Sequence, residues 1–242
     1  MNRNSVVIIL VLTFIILSSI QYYIYKYKIV KEGMENGKKK IKNVYLIGDS
    51  IIKNDLYVSR GKSVEYYINT LLKPYKSDEI VPPPVNVTNL AIDNSVINDI
   101  YEQLKFIPED SQDNNIIFLS VGGNDILKKY VYMYNTDFVG LTTLFNKYKE
   151  LVERIQKQFP EPQYKLVIMN IYYPPDKQIF SPFYPHIKEW NKSIDDYISK
   201  SNTNIGLIRI DEKITEKEDF VNKIEPSERG GEKIAMEITQ YL

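Results

Sequence analysis

The chain has 242 residues and no formal net charge, because 31 basic residues balance 31 acidic ones. Without a basic surface we exclude nucleic acid as a partner, and a hydrophobic fraction of 43% is enough to build a substantial core. The chain contains no cysteine, which excludes disulfides, thiolate catalysis and cysteine-ligated zinc.

The first element along the chain is an apolar stretch, residues 6–25, that contains no charged side chain. About 20 helical residues at 1.5 Å each match a hydrocarbon core of roughly 30 Å, so we predict a membrane anchor over residues 1–25. A cleaved signal peptide is the alternative, although the residues after Ser18 and Ser19 suit cleavage poorly. Positive charge is heavier after the stretch than before it, which predicts that the rest of the chain stays on the cytoplasmic side.

Residues 26–40 are rich in lysine and lack apolar periodicity, which predicts a solvated tether. From residue 41 to residue 242, short apolar runs alternate with longer amphipathic ones. We predict strands over residues 43–47, 85–88, 115–121, 165–170 and 206–210, and helices over residues 64–72, 96–106, 141–159, 188–200 and 231–242. This alternation is typical of an α/β fold, a three-layer α/β/α sandwich with a five-stranded parallel sheet of the flavodoxin-like kind.

Polar motifs follow the first three predicted strands. They are Gly48-Asp49-Ser50, the segment 89–95, and Gly122-Gly123-Asn124-Asp125. Parallel strands end at the same edge of a sheet, so we expect these motifs to meet there. A serine after a strand-ending glycine is a candidate nucleophile, and an asparagine on a glycine turn can donate to an oxyanion. Each motif alone is also compatible with an ordinary strand-ending turn.

A fourth motif, residues 222–235, is a loop followed by an amphipathic helix. With it, the chain from residue 41 to residue 242 resembles the SGNH (GDSL) hydrolase family, because the Gly-Asp-Ser and Gly-Gly-Asn-Asp blocks occur in the family's order and Pro226, Ser227 and Gly230 match its last block. The resemblance implies hydrolysis of esters such as acyl lipids or acetylated sugars, without a metal or cofactor. It also implies that Ser50 is the nucleophile and that Ser50, Asn94 and Asn124 form the oxyanion hole.

Three positions depart from the family pattern. Asn94 stands in place of a glycine, so we predict a left-handed backbone there. Glu225 replaces the catalytic histidine and Asn222 replaces the aspartate. Glutamate, with an ordinary pKa near 4.3, does not become a cation that faces the oxyanion. The sequence therefore predicts a weak or inactive ester hydrolase, or alternatively a protein that binds an ester, a glycan or a partner protein without chemistry.

His186 is the only histidine and follows the fourth predicted strand, which makes it an alternative base for Ser50. Pro185 is typical of a helix start, so we expect His186 on the surface of a first helical turn. A metal site built from Asp49, Asp125 and Glu225 is a further alternative, although no ligand spacing supports it.

Overall fold

A five-stranded parallel sheet forms the centre of the part of the chain that the computed structural model describes, residues 41–73, 85–130, 138–200 and 204–242. Its strand order, β2-β1-β3-β4-β5, is that of flavodoxin-like folds and confirms the predicted sheet. The strands are β1 (Asn43–Gly48), β2 (Asn86–Asn89), β3 (Asn115–Ser120), β4 (Tyr164–Met169) and β5 (Gly206–Ile208).

Eight α-helices accompany this sheet in the described ranges. They are α1 (Val64–Leu71), α2 (Ile100–Leu104), α3 (Gly123–Tyr130), α4 (Phe138–Gln158), α5 (Lys177–Phe180), α6 (Tyr184–Lys200), α7 (Ile210–Lys213) and α8 (Glu228–Thr239). None of the helices in these ranges is long and apolar enough to span a bilayer. The predicted anchor and tether, residues 1–40, lie outside the described residues.

The strands β1 and β3 are buried on both faces, which explains why their sequences are continuous apolar runs and do not alternate between apolar and polar residues. Ile47 and Leu119 point to the face covered by α2, α4 and α6, whose buried side chains include Trp190. Phe118 points to the opposite face and meets Tyr241, which follows α8. Because α8 packs against α1, helices cover both faces and the structure has the three predicted layers.

Two elements near the motifs were not predicted from the sequence. Helix α3 begins at Gly123, where the sequence predicted a turn. The helix was missed because glycine disfavours helices and because α3 is only eight residues long. A hairpin of β6 (Phe220–Val221) and β7 (Glu225–Pro226) replaces the expected loop before α8. Its turn places Asn222 and Lys223 at φ values of 49° and 70°, a backbone conformation that asparagine tolerates well.

Candidate active site

Ser50 stands directly beyond the end of β1, where the backbone leaves the sheet. Gly48 has a φ of +148°, and a Cβ there would lie 2.2 Å from the carbonyl oxygen of Ser120. Only glycine fits this close approach between β1 and β3. The Asp49 amide then donates to Ser120 O at 3.1 Å, which fixes the turn that carries Ser50.

A cavity of about 260 Å³ opens at the carboxyl edge of the sheet beside Ser50. Four predicted site residues line it together, namely Ser50, Asn94, Asn124 and Glu225. They come from the ends of β1, β2 and β3 and from the hairpin. The topology thus brings together side chains that are up to 175 positions apart in the sequence, from Ser50 to Glu225.

Asn94 has a φ of 61°, which confirms the predicted left-handed backbone at this position. Its carbonyl oxygen accepts a hydrogen bond from Lys128 Nζ at 3.2 Å, and its side-chain amide donates to Asp93 Oδ2 at 2.7 Å. Asparagine is therefore compatible with the left-handed backbone geometry at this position.

Asn124 lies in the first turn of α3, and its Nδ2 donates to the carbonyl oxygen of Ser95 at 3.1 Å. A side-chain amide has two hydrogens, so this bond orients the group and leaves one hydrogen for an oxyanion. The neighbouring carboxylate of Asp125 accepts from the Ile97 amide at 3.1 Å. Helix α3 therefore holds the loop that follows β2.

Glu225, the first residue of β7, lines the cavity together with Ser50. Burial raises the pKa of its carboxyl group, interaction with the Ser50 side chain opposes that rise, and the charge of Asp93 adds to it. Its Oε2 is buried and has no hydrogen-bond partner among the described residues. A serine hydroxyl thus faces a carboxylate whose basicity is higher than usual, the pairing that proton transfer requires.

The two remaining candidates have different surroundings. Asn222 is exposed in the hairpin turn, where its positive φ accounts for an asparagine. The expectation that His186 is a surface residue is wrong, because α6 begins at Tyr184 and its first turn packs into the protein, leaving His186 only 4% exposed. His186 is not among the residues that line the cavity with Ser50.

Two residues to which the sequence assigned no role in ester hydrolysis shape the site. Asp49 is 1% exposed, and burial, together with the nearby Glu225 and Asp125 carboxylates, raises its pKa to about 8. It is therefore a neutral acid at pH 7. Tyr172 donates from its hydroxyl to Ile224 O at 2.7 Å and so ties the hairpin to the cavity wall. Within the described ranges, the acidic side chains form no group that could hold a metal ion.

Solved structures share this fold at low sequence identity. A lipase from a goat rumen metagenome has a TM-score of 0.62 and 16% identity, covering 81% of this chain and 95% of the lipase. A lipolytic protein of the G-D-S-L family from Veillonella parvula has a TM-score of 0.59 and 18% identity, covering 81% and 95%. A catalytic mutant of an acetylxylan esterase from Geobacillus stearothermophilus has a TM-score of 0.58 and 15% identity, covering 83% and 94%.

A search of curated proteins finds no match to the sequence. A family model, described as GDSL-like Lipase/Acylhydrolase, matches residues 44–238, which include all four cavity-lining site residues. The chain therefore belongs to the GDSL-like lipase/acylhydrolase family.

Proposed function

We propose that this protein is a slow serine ester hydrolase, held at a membrane by residues 1–25, in which Ser50 is the nucleophile and Glu225 the base. The observation that carries the proposal is that Ser50 and Glu225 line one cavity with Asn94 and Asn124, and that the Ser50 side chain acts on the Glu225 carboxyl group. Nucleophile, base and oxyanion donors are the groups that acyl transfer needs.

In the proposed reaction, the Glu225 carboxylate accepts the Ser50 proton while Oγ attacks the ester carbonyl carbon. The backbone amides of Ser50 and Asn94 and the free Asn124 hydrogen stabilise the oxyanion. Protonated Glu225 then donates its proton to the leaving alkoxide, which departs as the alcohol. Water, deprotonated by Glu225, cleaves the acyl-enzyme to the carboxylic acid and restores Ser50.

The exchange of histidine for glutamate explains why we expect a slow reaction. A histidine base becomes a cation as the oxyanion forms, whereas Glu225 only becomes neutral and gives no attraction. The carboxylate of Asp93 also acts electrostatically on Glu225 and adds negative potential near the developing charge.

The cavity lining supports an ester with an uncharged aliphatic acyl group. Among the described residues, no lysine or arginine lines the cavity, whereas its walls are largely apolar: Ile51, Ile126, Leu127, Ile171, Pro174, Phe180, Phe183, Ile187 and Ile224. Its volume of about 260 Å³ is below the range of roughly 300–1,000 Å³ typical of drug-sized ligands. We therefore propose a short or medium acyl chain, carried by a lipid or by an acylated glycan.

The proposed reaction is tested with 4-nitrophenyl esters of increasing acyl length and the purified full-length chain. We expect the highest kcat/KM for medium chains and a fall for palmitate, and we expect Ser50→Ala to remove at least about 90% of the rate because the nucleophile is lost. Ser199→Ala, on the exposed face of α6, is the matched control and should leave the rate unchanged. Equal rates for wild type and Ser50→Ala would refute the hydrolase.

A binding protein without chemistry is the second candidate, and the exposed position of Asn222 favours it, since no buried acid then orients a base. In that case Ser50→Ala leaves the slow ester hydrolysis unchanged. A medium-chain alcohol, which cannot be hydrolysed, would still bind to the cavity with the same affinity in both proteins.

The proposed anchor has its own test. After alkaline carbonate extraction we expect the full-length chain to remain in the membrane pellet, because about 20 uncharged residues are enough to span the hydrocarbon core. Deletion of residues 1–25 should release the protein to the supernatant. A shortened chain in the supernatant, without any deletion, would identify a cleaved signal peptide instead.

A further inference from the structure

A buried glutamine lies between β1, which ends just before Ser50, and the loop after β2 that contains Asn94 and Ser95. Gln103 lies in α2 and is 1% exposed. Its Oε1 accepts from the Gly48 amide at 2.7 Å, and its Nε2 donates to Gly48 O at 2.8 Å. The same Nε2 donates its second hydrogen to Ser95 Oγ at 3.2 Å. A neutral amide with three bonds in the interior is well satisfied and strongly oriented.

Gln103 takes the place of a missing strand partner. The pairing of β2 with β1 stops at Leu46, whereas β1 continues to Gly48. The Gly48 amide therefore has no carbonyl group of β2 opposite it, and an unpaired buried amide would be strongly unfavourable. The carboxamide of Gln103 supplies the acceptor for this amide, two residues before Ser50. It also donates to the Gly48 carbonyl oxygen, which accepts from the Ile92 amide at 3.1 Å as well.

The chain of hydrogen bonds continues from Gln103 to the oxyanion donors. Ser95 follows Asn94, whose backbone amide is one proposed donor. The carbonyl oxygen of Ser95 accepts from Asn124 Nδ2, the other proposed donor, at 3.1 Å. Gln103 is thus directly bonded to the residue before the Asp49-Ser50 turn and to the residue that orients Asn124.

We propose that Gln103 is a positioning residue that sets the distance between Ser50 and the oxyanion donors by clamping Gly48 and Ser95 to one rigid amide. The inference rests on the proposed hydrolase, since it concerns the geometry of that reaction. Oxyanion donors act only when they are about 3 Å from the developing charge, and a displacement of about 1 Å can reduce a rate about 100-fold.

The test replaces Gln103 by methionine, which is similar in length and forms none of the three bonds. The matched control is Asn115→Leu, which removes a buried side-chain amide at the amino end of β3, where it bonds to Asn43, Asp113 and Gln163. Both variants should lower Tm, because both leave buried polar groups unpaired. Only Gln103→Met should lower kcat, by about 10- to 100-fold, with KM unchanged within about twofold.

A boronic acid gives a second readout that does not depend on turnover, because its adduct with Ser50 places a negatively charged oxygen in the oxyanion hole. We expect Gln103→Met to weaken binding of 1-butaneboronic acid by the same factor as kcat, and Asn115→Leu to leave it unchanged. Ser95→Ala removes only the bond from Gln103 Nε2 to Ser95 Oγ and should weaken boronic acid binding by a smaller factor. In the Gln103→Met background, where this bond is already absent, Ser95→Ala should have no further effect on binding.

The outcomes separate this inference from the proposed function. If the wild type shows no Ser50-dependent turnover, the hydrolase proposal fails. In that case, a boronic acid affinity that is still lowered by Gln103→Met supports the positioning role of Gln103. If Gln103→Met and Asn115→Leu change kcat and boronic acid affinity equally, Gln103 is a structural residue only and the inference is overturned.

Discussion

Glu225→His is expected to raise the Ser50-dependent kcat/KM by about 100-fold, since a well-placed general base of suitable pKa contributes roughly 10²- to 10⁴-fold. The substitution puts an imidazole beside the Ser50 hydroxyl, in the cavity that Ser50 and Glu225 line together. Imidazole becomes a cation when it takes the serine proton, so it attracts the oxyanion that a glutamate repels. The measurement is steady-state hydrolysis of 4-nitrophenyl butyrate by full-length wild type and variant.

Asn222→Asp adds the second triad residue that the resemblance implies, and we expect it to add less than about tenfold to Glu225→His. Aspartate tolerates the left-handed backbone at this position, so the hairpin should keep its shape. The side chain is exposed, however, and solvent screens its influence on the new imidazole. Ser50→Ala in the Glu225→His background is the control and must remove the gain. A gain that survives this control would show that the histidine acts without the serine.

The sheet and three of the four motifs were predictable because β1, β3 and β4 are compact, largely apolar runs of six residues. The short helices and strands were not predictable. Helix α3 starts with Gly123, a residue that disfavours helices, and it exists because Asn124, Asp125 and Lys128 bond to the loop after β2. Such long-range bonds leave no local periodicity in the sequence.

The position of Glu225 was identified by the family pattern, but its contact with Ser50 depends on a hairpin that the sequence does not announce. The strands β6 and β7 have only two residues each. The turn between them is defined by the positive φ of Asn222 and Lys223, which is visible only in the structure. Gln103 was not predicted for another reason. A single polar residue in an amphipathic helix is usually exposed to solvent, whereas Gln103 is buried because β2 ends before it can pair with Gly48.

The second large effect is a bell-shaped dependence of kcat/KM on pH. Glu225 must be ionised to accept the serine proton, so the rate should fall as the pH drops through its pKa. Burial raises that pKa above the ordinary value for glutamate, which moves the acid limb toward neutral pH. Glu225→Gln cannot accept a proton and should leave only the rate of Ser50→Ala, which also serves as the background at each pH.

Asp49 is expected to produce the alkaline limb. Its pKa of about 8 means that it is neutral at pH 7 and becomes an anion as the pH rises above that value. The new charge lies beside Ser50, in a site that already contains Glu225, and it disfavours a developing oxyanion. The rate should therefore decline above about pH 8, whereas a hydrolase limited only by Glu225 would reach a plateau.

Asp49→Asn isolates this ionisation. The amide resembles the neutral acid, and its oxygen can still accept from the Ile51 amide, as Asp49 Oδ1 does at 3.1 Å. We expect a plateau above pH 8 in this variant and an unchanged acid limb. Because the folded-state pKa is raised, the contribution of Asp49 to stability is full below pH 3.8 and is lost as the pH rises to about 8. Circular dichroism at each pH must therefore show that wild type is folded, and an alkaline limb that persists in Asp49→Asn would assign it to another group.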